Sequence, residues 1–283
     1  MSQASDSELQ RQFDDFHRDH PARTLEVGGI AWRYTAAGSG PEGLMLFPGA
    51  VGGGDVFFAL VPLLADRYRL IMITLPLVPG LDELVQGLEA VLEAEQVDRV
   101  AMIGSSFGGM VVQAFLFRHA ERTTRVVLSA TAPPRLGRAD ENERWHWVYR
   151  VIPMPLMRAL LRVLLRAMFK KVTVEPDFWR RYYDRAITEL TRADLECRYQ
   201  LALEFDRSYP EAPPDLSAWS GEMLVVAGSR DQMIKEEIRD LMRSTYPRAR
   251  YHVIKGAGHG PYLERPDSWL EAVTTFLTDG PSD

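Results

Sequence analysis

The stretch Val100-Ala101-Met102-Ile103-Gly104-Ser105-Ser106-Phe107-Gly108-Gly109 runs four apolar residues into Gly-x-Ser-x-Gly, and Met110-Val111-Val112-Gln113-Ala114-Phe115-Leu116 continues with helical character. The order is strand, sharp turn, helix. In that setting Ser106 is expected to hold a strained main-chain conformation, its hydroxyl exposed at the carboxyl end of the strand, as in a nucleophile elbow. Gly104 and Gly108 flank the serine where strand and helix come too close for side chains, and Gly109 is expected to let the helix pack on the sheet. The pattern alone recurs by chance, and a Gly/Ser-rich loop that merely turns the chain is the alternative. The flanking strand and helix favour the elbow.

Outward from this point, strands and helices alternate. On the amino-terminal side, residues 24–35 alternate around Gly28-Gly29 and read as a β-hairpin, and Leu44-Met45-Leu46-Phe47 is a short apolar strand of the buried parallel type. It ends in the glycine-rich Pro48-Gly49-Ala50-Val51-Gly52-Gly53-Gly54, after which Asp55 is expected to cap a helix over 56–64. A dinucleotide loop is disfavoured there, because the glycine spacing is not Gly-x-Gly-x-x-Gly and no acidic residue ends the next strand. Residues 68–75 read as a strand, 81–96 as a helix with Leu84, Leu88, Val91 and Leu92 on one face, and 125–129 as another buried strand. The alternation implies a parallel sheet with right-handed crossovers.

The pattern breaks at Ala132-Pro133-Pro134. Residues 133–215 hold helical stretches rich in aromatics (Trp145, Trp147, Tyr149, Phe169, Phe178, Trp179, Tyr182, Tyr183) and are expected to form a helical cap. Within it Arg158, Arg162, Arg166 and Lys170 recur every four residues between Leu160, Leu161, Leu164 and Leu165. That is a basic amphipathic helix, read as a solvated cap face, with contact to an anionic lipid surface or anionic substrate as the sharper alternative. The aromatics, with Met154, Met157 and Met168, suggest an apolar pocket beneath the cap, although most are expected to pack the cap itself. The sheet resumes at 223–228, followed by a helix over 235–244, a last strand over 250–254 and a final helix over 267–276. The expected organisation is thus a polar, exposed lead-in at 1–22, an α/β core at 23–132 and 216–283, and the helical cap between its halves.

A chain of 283 residues, 46% hydrophobic and 25% charged, suits one large α/β domain with an insertion. Its net charge of −6 argues against a general nucleic-acid binder. The single cysteine, Cys197, rules out an internal disulfide and any cysteine-based metal cluster. With no apolar leader and no membrane-span pattern, the expected location is cytoplasmic.

Serine chemistry needs a base, an acid to orient it and preorganised donors for the oxyanion. Asp231, in Gly228-Ser229-Arg230-Asp231, lies just past a strand end, and His259, in Gly256-Ala257-Gly258-His259-Gly260, lies past the next. Each alone is more often a turn or solvated residue; together with Ser106 they fall on the carboxyl edge of one sheet. The other histidines are poorer bases: His17 and His20 are in the lead-in, His119 at the far end of the elbow helix, His146 in the insertion and His252 inside a strand. The oxyanion donors are expected to be the backbone amides of Phe107 and Ala50. No metal or organic cofactor is needed, and a serine nucleophile argues against the aspartate-based dehalogenase and epoxide hydrolase chemistries.

With these residues in place, the chain resembles the α/β-hydrolase superfamily over residues 24–278, in which the order Ser106…Asp231…His259 is the expected one. More narrowly it resembles the maspardin-type branch, through Phe47-Pro48-Gly49-Ala50, Asp55-Val56-Phe57-Phe58, Leu75-Pro76-Leu77-Val78-Pro79, Tyr246-Pro247-Arg248-Ala249-Arg250 and Pro261-Tyr262-Leu263. The superfamily resemblance implies a mostly parallel sheet flanked by helices and a carboxylesterase-like serine hydrolase acting on a small, apolar ester; thioesters, amides and C–C bonds would use the same triad. The branch resemblance implies a non-catalytic partner-binding protein with an incomplete triad. This sequence departs from the branch in keeping all three triad residues, and from the usual hydrolase loop in having Pro48-Gly49 where His-Gly is common.

Overall fold

The computed structural model describes residues 7–135, 137, 139, 143, 150–169, 172–209 and 212–279, the side chains of 167–169 excepted. Trp145, His146, Trp147, Tyr149 and Lys170, and the side chains of Met168 and Phe169, therefore lie outside the described residues.

Eight strands form one sheet: β1 Arg23–Val27, β2 Ile30–Ala37, β3 Glu42–Phe47, β4 Tyr68–Thr74, β5 Val100–Ser105, β6 Thr123–Ser129, β7 Glu222–Gly228 and β8 Arg250–Ile254. The order is β1-β2-β4-β3-β5-β6-β7-β8. β1 and β2 form the antiparallel hairpin, β2 joins β4 antiparallel, and every pairing from β4 onward is parallel. This is the α/β-hydrolase fold expected from the sequence.

The central strands are buried on both faces, so they read as unbroken apolar runs, yet their side chains still divide with a period of two. Met45, Phe47, Met102, Val126 and Val225 join one core; Leu44, Leu46, Ile103, Val127 and Val226 join the other. The first core is closed by helices α3 (Leu81–Ala94) and α4 (Phe107–Arg118), the second by a 3-10 helix at Gly54–Leu60, a short α2 (Val61–Leu64) and the carboxyl-terminal helix described below. α3 stops two residues short of expectation because Gln96 takes φ 55°.

Between β6 and β7 the described regular elements include three long helices: α5 Met154–Phe169, α6 Pro176–Glu189 and α7 Arg192–Ser208. After β7 come α8 Glu236–Thr245, a four-residue α9 Pro261–Glu264, and α10 Pro266–Thr278, which starts directly behind α9. Among the described residues no helix is long and apolar enough to cross a membrane.

Two expectations need correction. The polar lead-in carries a docked helix, α1 (Glu8–Asp19). Phe16 is buried, and Phe13 meets the rings of Phe58, Phe178 and Tyr182 edge-on, so the sparse apolar residues of this segment form one packing stripe. The amphipathic α5 is not a simple solvated basic face. Arg158 donates to the Leu190 carbonyl at 2.9 Å and Arg162 to Asp184 on α6 at 2.6 Å, whereas Leu156, Leu160, Val163 and Leu164 are exposed. Carbonyls and carboxylates on the neighbouring helix give guanidinium groups partners that leucines cannot use.

Candidate active site

Because β3, β5, β6, β7 and β8 are mutually parallel, their carboxyl ends lie along one edge, and the residues that follow β3, β5, β7 and β8 converge there.

Ser106 follows β5 directly, with φ 51° and ψ −114°. A non-glycine residue is strained there, by ~1–3 kcal/mol. Its amide donates to the Ser129 carbonyl at 2.8 Å, and its own carbonyl accepts from Gly109 N at 2.9 Å, so both sides of the turn are pinned. The crowding foreseen for the glycines is present. A Cβ on Gly104 would meet the Gly108 carbonyl, and one on Gly108 would meet the carbonyls of Phe47 and Pro48, on the adjacent strand end. The close neighbour of Gly109 is Thr131, beyond the end of β6.

The loops after β7 and β8 are stitched together. Ser229 N donates to Ile254 O at 3.0 Å, Arg230 N to Ala257 O at 2.8 Å, and Gly256 N to the Ser229 hydroxyl at 2.9 Å. This brings Asp231 and His259 side by side. His259 Nδ1 lies 2.9 Å from Asp231 Oδ2, and His259 Nε2 lies 2.9 Å from Ser106 Oγ. All three residues named from the sequence thus join in one hydrogen-bonded line.

Asp231 is 4% exposed, and its other oxygen accepts the amides of Met233 at 2.8 Å and Ile234 at 3.0 Å. Burial pushes its carboxyl pKa up, but the hydrogen bond and charge of His259, with those two amides, outweigh it and hold the group below the usual carboxylate range. With Nδ1 given to an ionised carboxylate, the imidazole presents an acceptor Nε2 to the serine hydroxyl.

Two supports had no signal in the sequence. Glu264, on α9 and 1% exposed, accepts Gly258 N at 2.7 Å and Gly260 N at 3.4 Å, the amides on either side of His259. A carboxylate inside the short helix that follows the loop thereby fixes the main chain that carries the imidazole. The second support concerns Asp55, which is not the helix cap expected. Gly53 precedes the 3-10 helix and makes no side-chain cap bond. Asp55 instead accepts the Tyr182 hydroxyl at 2.6 Å and faces His17 of α1 at 3.2 Å. Gly53 N donates to the same hydroxyl at 3.2 Å. Burial, then the charge of Asp55, push the Tyr182 pKa well up, so the phenol stays a donor. α1, α6 and the glycine-rich loop after β3 meet at this point, across separations that no local pattern encodes.

That loop borders Ser106: a Cβ on Gly49 would lie 3.8 Å from Ser106 Cβ. Ala50 is exposed and Phe107 half-buried. Phe107 opens α4, where an amide has no intrahelical acceptor. Among the described residues Ala50 N has no main-chain acceptor outside the regular elements.

Residues 44–272 match the family model described as the alpha/beta hydrolase family. The chain belongs to the alpha/beta hydrolase family. Among curated proteins, this hydrolase is 28% identical over 202 residues to the esterase YbfF of Escherichia coli K12, covering 69% of this chain and 74% of that protein. It is 25% identical over 263 residues to the pimeloyl-[acyl-carrier protein] methyl ester esterase of Aeromonas hydrophila, covering 85% and 96%. It is 24% identical over 273 residues to the 2-hydroxy-6-oxo-6-phenylhexa-2,4-dienoate hydrolase of Burkholderia cepacia, covering 86% and 90%. In fold it is similar to a crystal structure of a hydrolase from Pseudomonas aeruginosa PA01, with a TM-score of 0.74 at 21% identity, over 92% of this chain and 99% of that one.

Proposed function

We propose that this hydrolase cleaves a small ester through an acyl-enzyme intermediate, with Ser106 as nucleophile, His259 as general base and acid, and Asp231 as the orienting carboxylate. Ser106 Oγ attacks the ester carbonyl as its proton passes to His259 Nε2. The carbonyl oxygen, now negative, is held by the amides of Ala50 and Phe107, an oxyanion pair whose members are worth ~3 kcal/mol each in acyl transfer. Collapse expels the alcohol with the proton from Nε2. Water then repeats the sequence on the acyl-serine, yielding the acid and free Ser106. The helices between β6 and β7 act as a cap over this edge, and the setting is cytoplasmic.

The observation that carries this reading is the line of two 2.9 Å contacts from Asp231 through His259 to Ser106. The likeness to esterases supports an ester as substrate. A second reading, cleavage of a C–C bond beside a carbonyl by the same residues, has support in the likeness to the Burkholderia cepacia hydrolase. The maspardin-like alternative, a non-catalytic binder, has less support, because such a role has no use for a complete relay built on a strained serine.

The test is hydrolysis of p-nitrophenyl esters across acyl lengths by wild type, Ser106→Ala and His259→Ala. Loss of ~10³-fold or more in each variant is expected for members of one catalytic unit. Activity that survives Ser106→Ala would refute the assignment.

A further inference from the structure

A cavity of about 400 Å³ lies between α5 and α6, away from Ser106, Asp231 and His259. Five arginines line it, Arg162, Arg166, Arg180, Arg181 and Arg185, and among the described residues Asp184 is the one acid in its wall. Three of the five have carboxylate partners: Arg162 with Asp184 at 2.6 Å, Arg180 with Asp177 at 2.8 Å and Arg185 with Glu189 at 2.9 Å. Arg166 and Arg181 have no carboxylate within ion-pair distance among the described residues. α5 itself carries three arginines and no acid. In a chain of net charge −6, this is a local concentration of the opposite sign. Guanidinium groups crowded around a concave space repel one another; an anion placed among them removes that repulsion and takes paired N–H donors in the fork geometry that carboxylates and phosphates fit.

Tyr183 stands between the cavity and the loop after β3. This residue lines the cavity, and its ring lies 3.8 Å from where a Cβ on Gly52 would be. Gly52 follows Gly49, the residue against Ser106, by three residues, a span of at most ~11 Å of main chain. The arginine cavity and the loop that borders Ser106 therefore lie on either side of Tyr183.

We infer that the ester substrate carries an anionic group, a carboxylate or phosphate, at the end remote from the scissile bond, and that Arg166 and Arg181 hold it in this cavity. This rests on the ester-hydrolase reading above and narrows it: an apolar pocket alone would take a neutral acyl chain, whereas this cavity selects a charged one. The volume is that of a small-ligand pocket.

The experiment compares kcat/KM for mono-p-nitrophenyl esters of linear dicarboxylic acids with that for p-nitrophenyl esters of uncharged fatty acids of the same length. The ratio is internal to each preparation, so a loss of folded protein cancels. Wild type is expected to favour the anionic series by about tenfold or more at one chain length, since a charge-assisted hydrogen bond is worth that much. In Arg166→Ala/Arg181→Ala the ratio falls toward one, and in Arg166→Lys/Arg181→Lys it is intermediate, charge being kept without the fork. Adipate and inorganic phosphate, each added as competitor of the neutral ester, tell which anion is preferred; inhibition by neither would overturn the inference. So would a wild-type ratio near one at every length, or a ratio that survives the alanine pair. If no ester is cleaved by wild type, the hydrolase reading fails separately, and calorimetric titration of adipate and of phosphate into Ser106→Ala decides this one. Heat of binding that vanishes when the two arginine substitutions are added sustains the site, and heat that persists, or none at all, sinks it.

Discussion

Replacing Ser106 by glycine and, separately, by alanine measures the strain at the elbow. Both variants lose the 2.9 Å contact between the hydroxyl and His259, so that loss cancels in the comparison. Ser106 precedes α4 but makes no side-chain capping bond, so capping does not enter either. What remains is the Cβ. Alanine must hold φ 51°, ψ −114° against its own side chain, whereas glycine takes that conformation freely. The strain relieved is ~2 kcal/mol, the middle of the range for such conformations. Glycine gives back ~0.7 kcal/mol through the greater freedom of its unfolded chain. Ser106→Gly is thus expected to be more stable than Ser106→Ala by about 1 kcal/mol. Urea unfolding of the two in parallel reads this as a higher midpoint for glycine at unchanged slope. An alanine variant as stable as the glycine one, or more so, would refute the claim that the fold stores strain at this residue.

Three further outcomes are expected. Glu264→Ala leaves the buried amide of Gly258 and the half-buried amide of Gly260 without this acceptor, and should destabilise by ~2 kcal/mol and lower kcat more than it raises KM, while Glu264→Gln, keeping one oxygen, recovers part of both; thermal unfolding with steady-state kinetics checks this. Gly108→Ala drives a Cβ into the carbonyls of Phe47 and Pro48, so it should cost ~3 kcal/mol or more or yield no folded protein, seen as loss of the cooperative unfolding transition. The Asp231 carboxyl is depressed in the fold, so the unfolded chain binds the proton first on acidification; its contribution to stability is present above the ordinary carboxylate pKa and lost as pH falls through the lower folded value. Wild type should therefore lose its stability advantage over Asp231→Asn between neutral pH and the acid side of the carboxylate range, and an advantage that stays constant in urea titrations across that range would count against the argument.

The fold was readable because each central strand carries its own signal. Leu44–Phe47, Val100–Ile103 and Val126–Leu128 are apolar on both faces, and only a sheet covered on both sides makes such runs. Ser106, Asp231 and His259 were readable for a related reason: each follows a strand end, and parallel strands bring their ends to one edge. What the sequence did not display depends on contacts that no periodicity or spacing marks. Asp55 has the spacing of a helix cap, but its partners, Tyr182 and His17, come from α6 and α1. Glu264 sits in a four-residue helix too short to show any periodicity. The alternation of arginine and leucine in α5 marks a helix with two faces, yet it does not say that Arg158 and Arg162 find partners in the carbonyl of Leu190 and the carboxylate of Asp184.

The central claim is that Ser106 is the nucleophile of the relay. Its most direct test is intact-mass and peptide spectrometry after treatment with a fluorophosphonate. The account predicts one adduct per chain, on the peptide holding Ser106, formed at least ~100-fold more slowly in His259→Ala because the base is gone. No adduct, or an adduct on another residue at the same rate in both proteins, would contradict it.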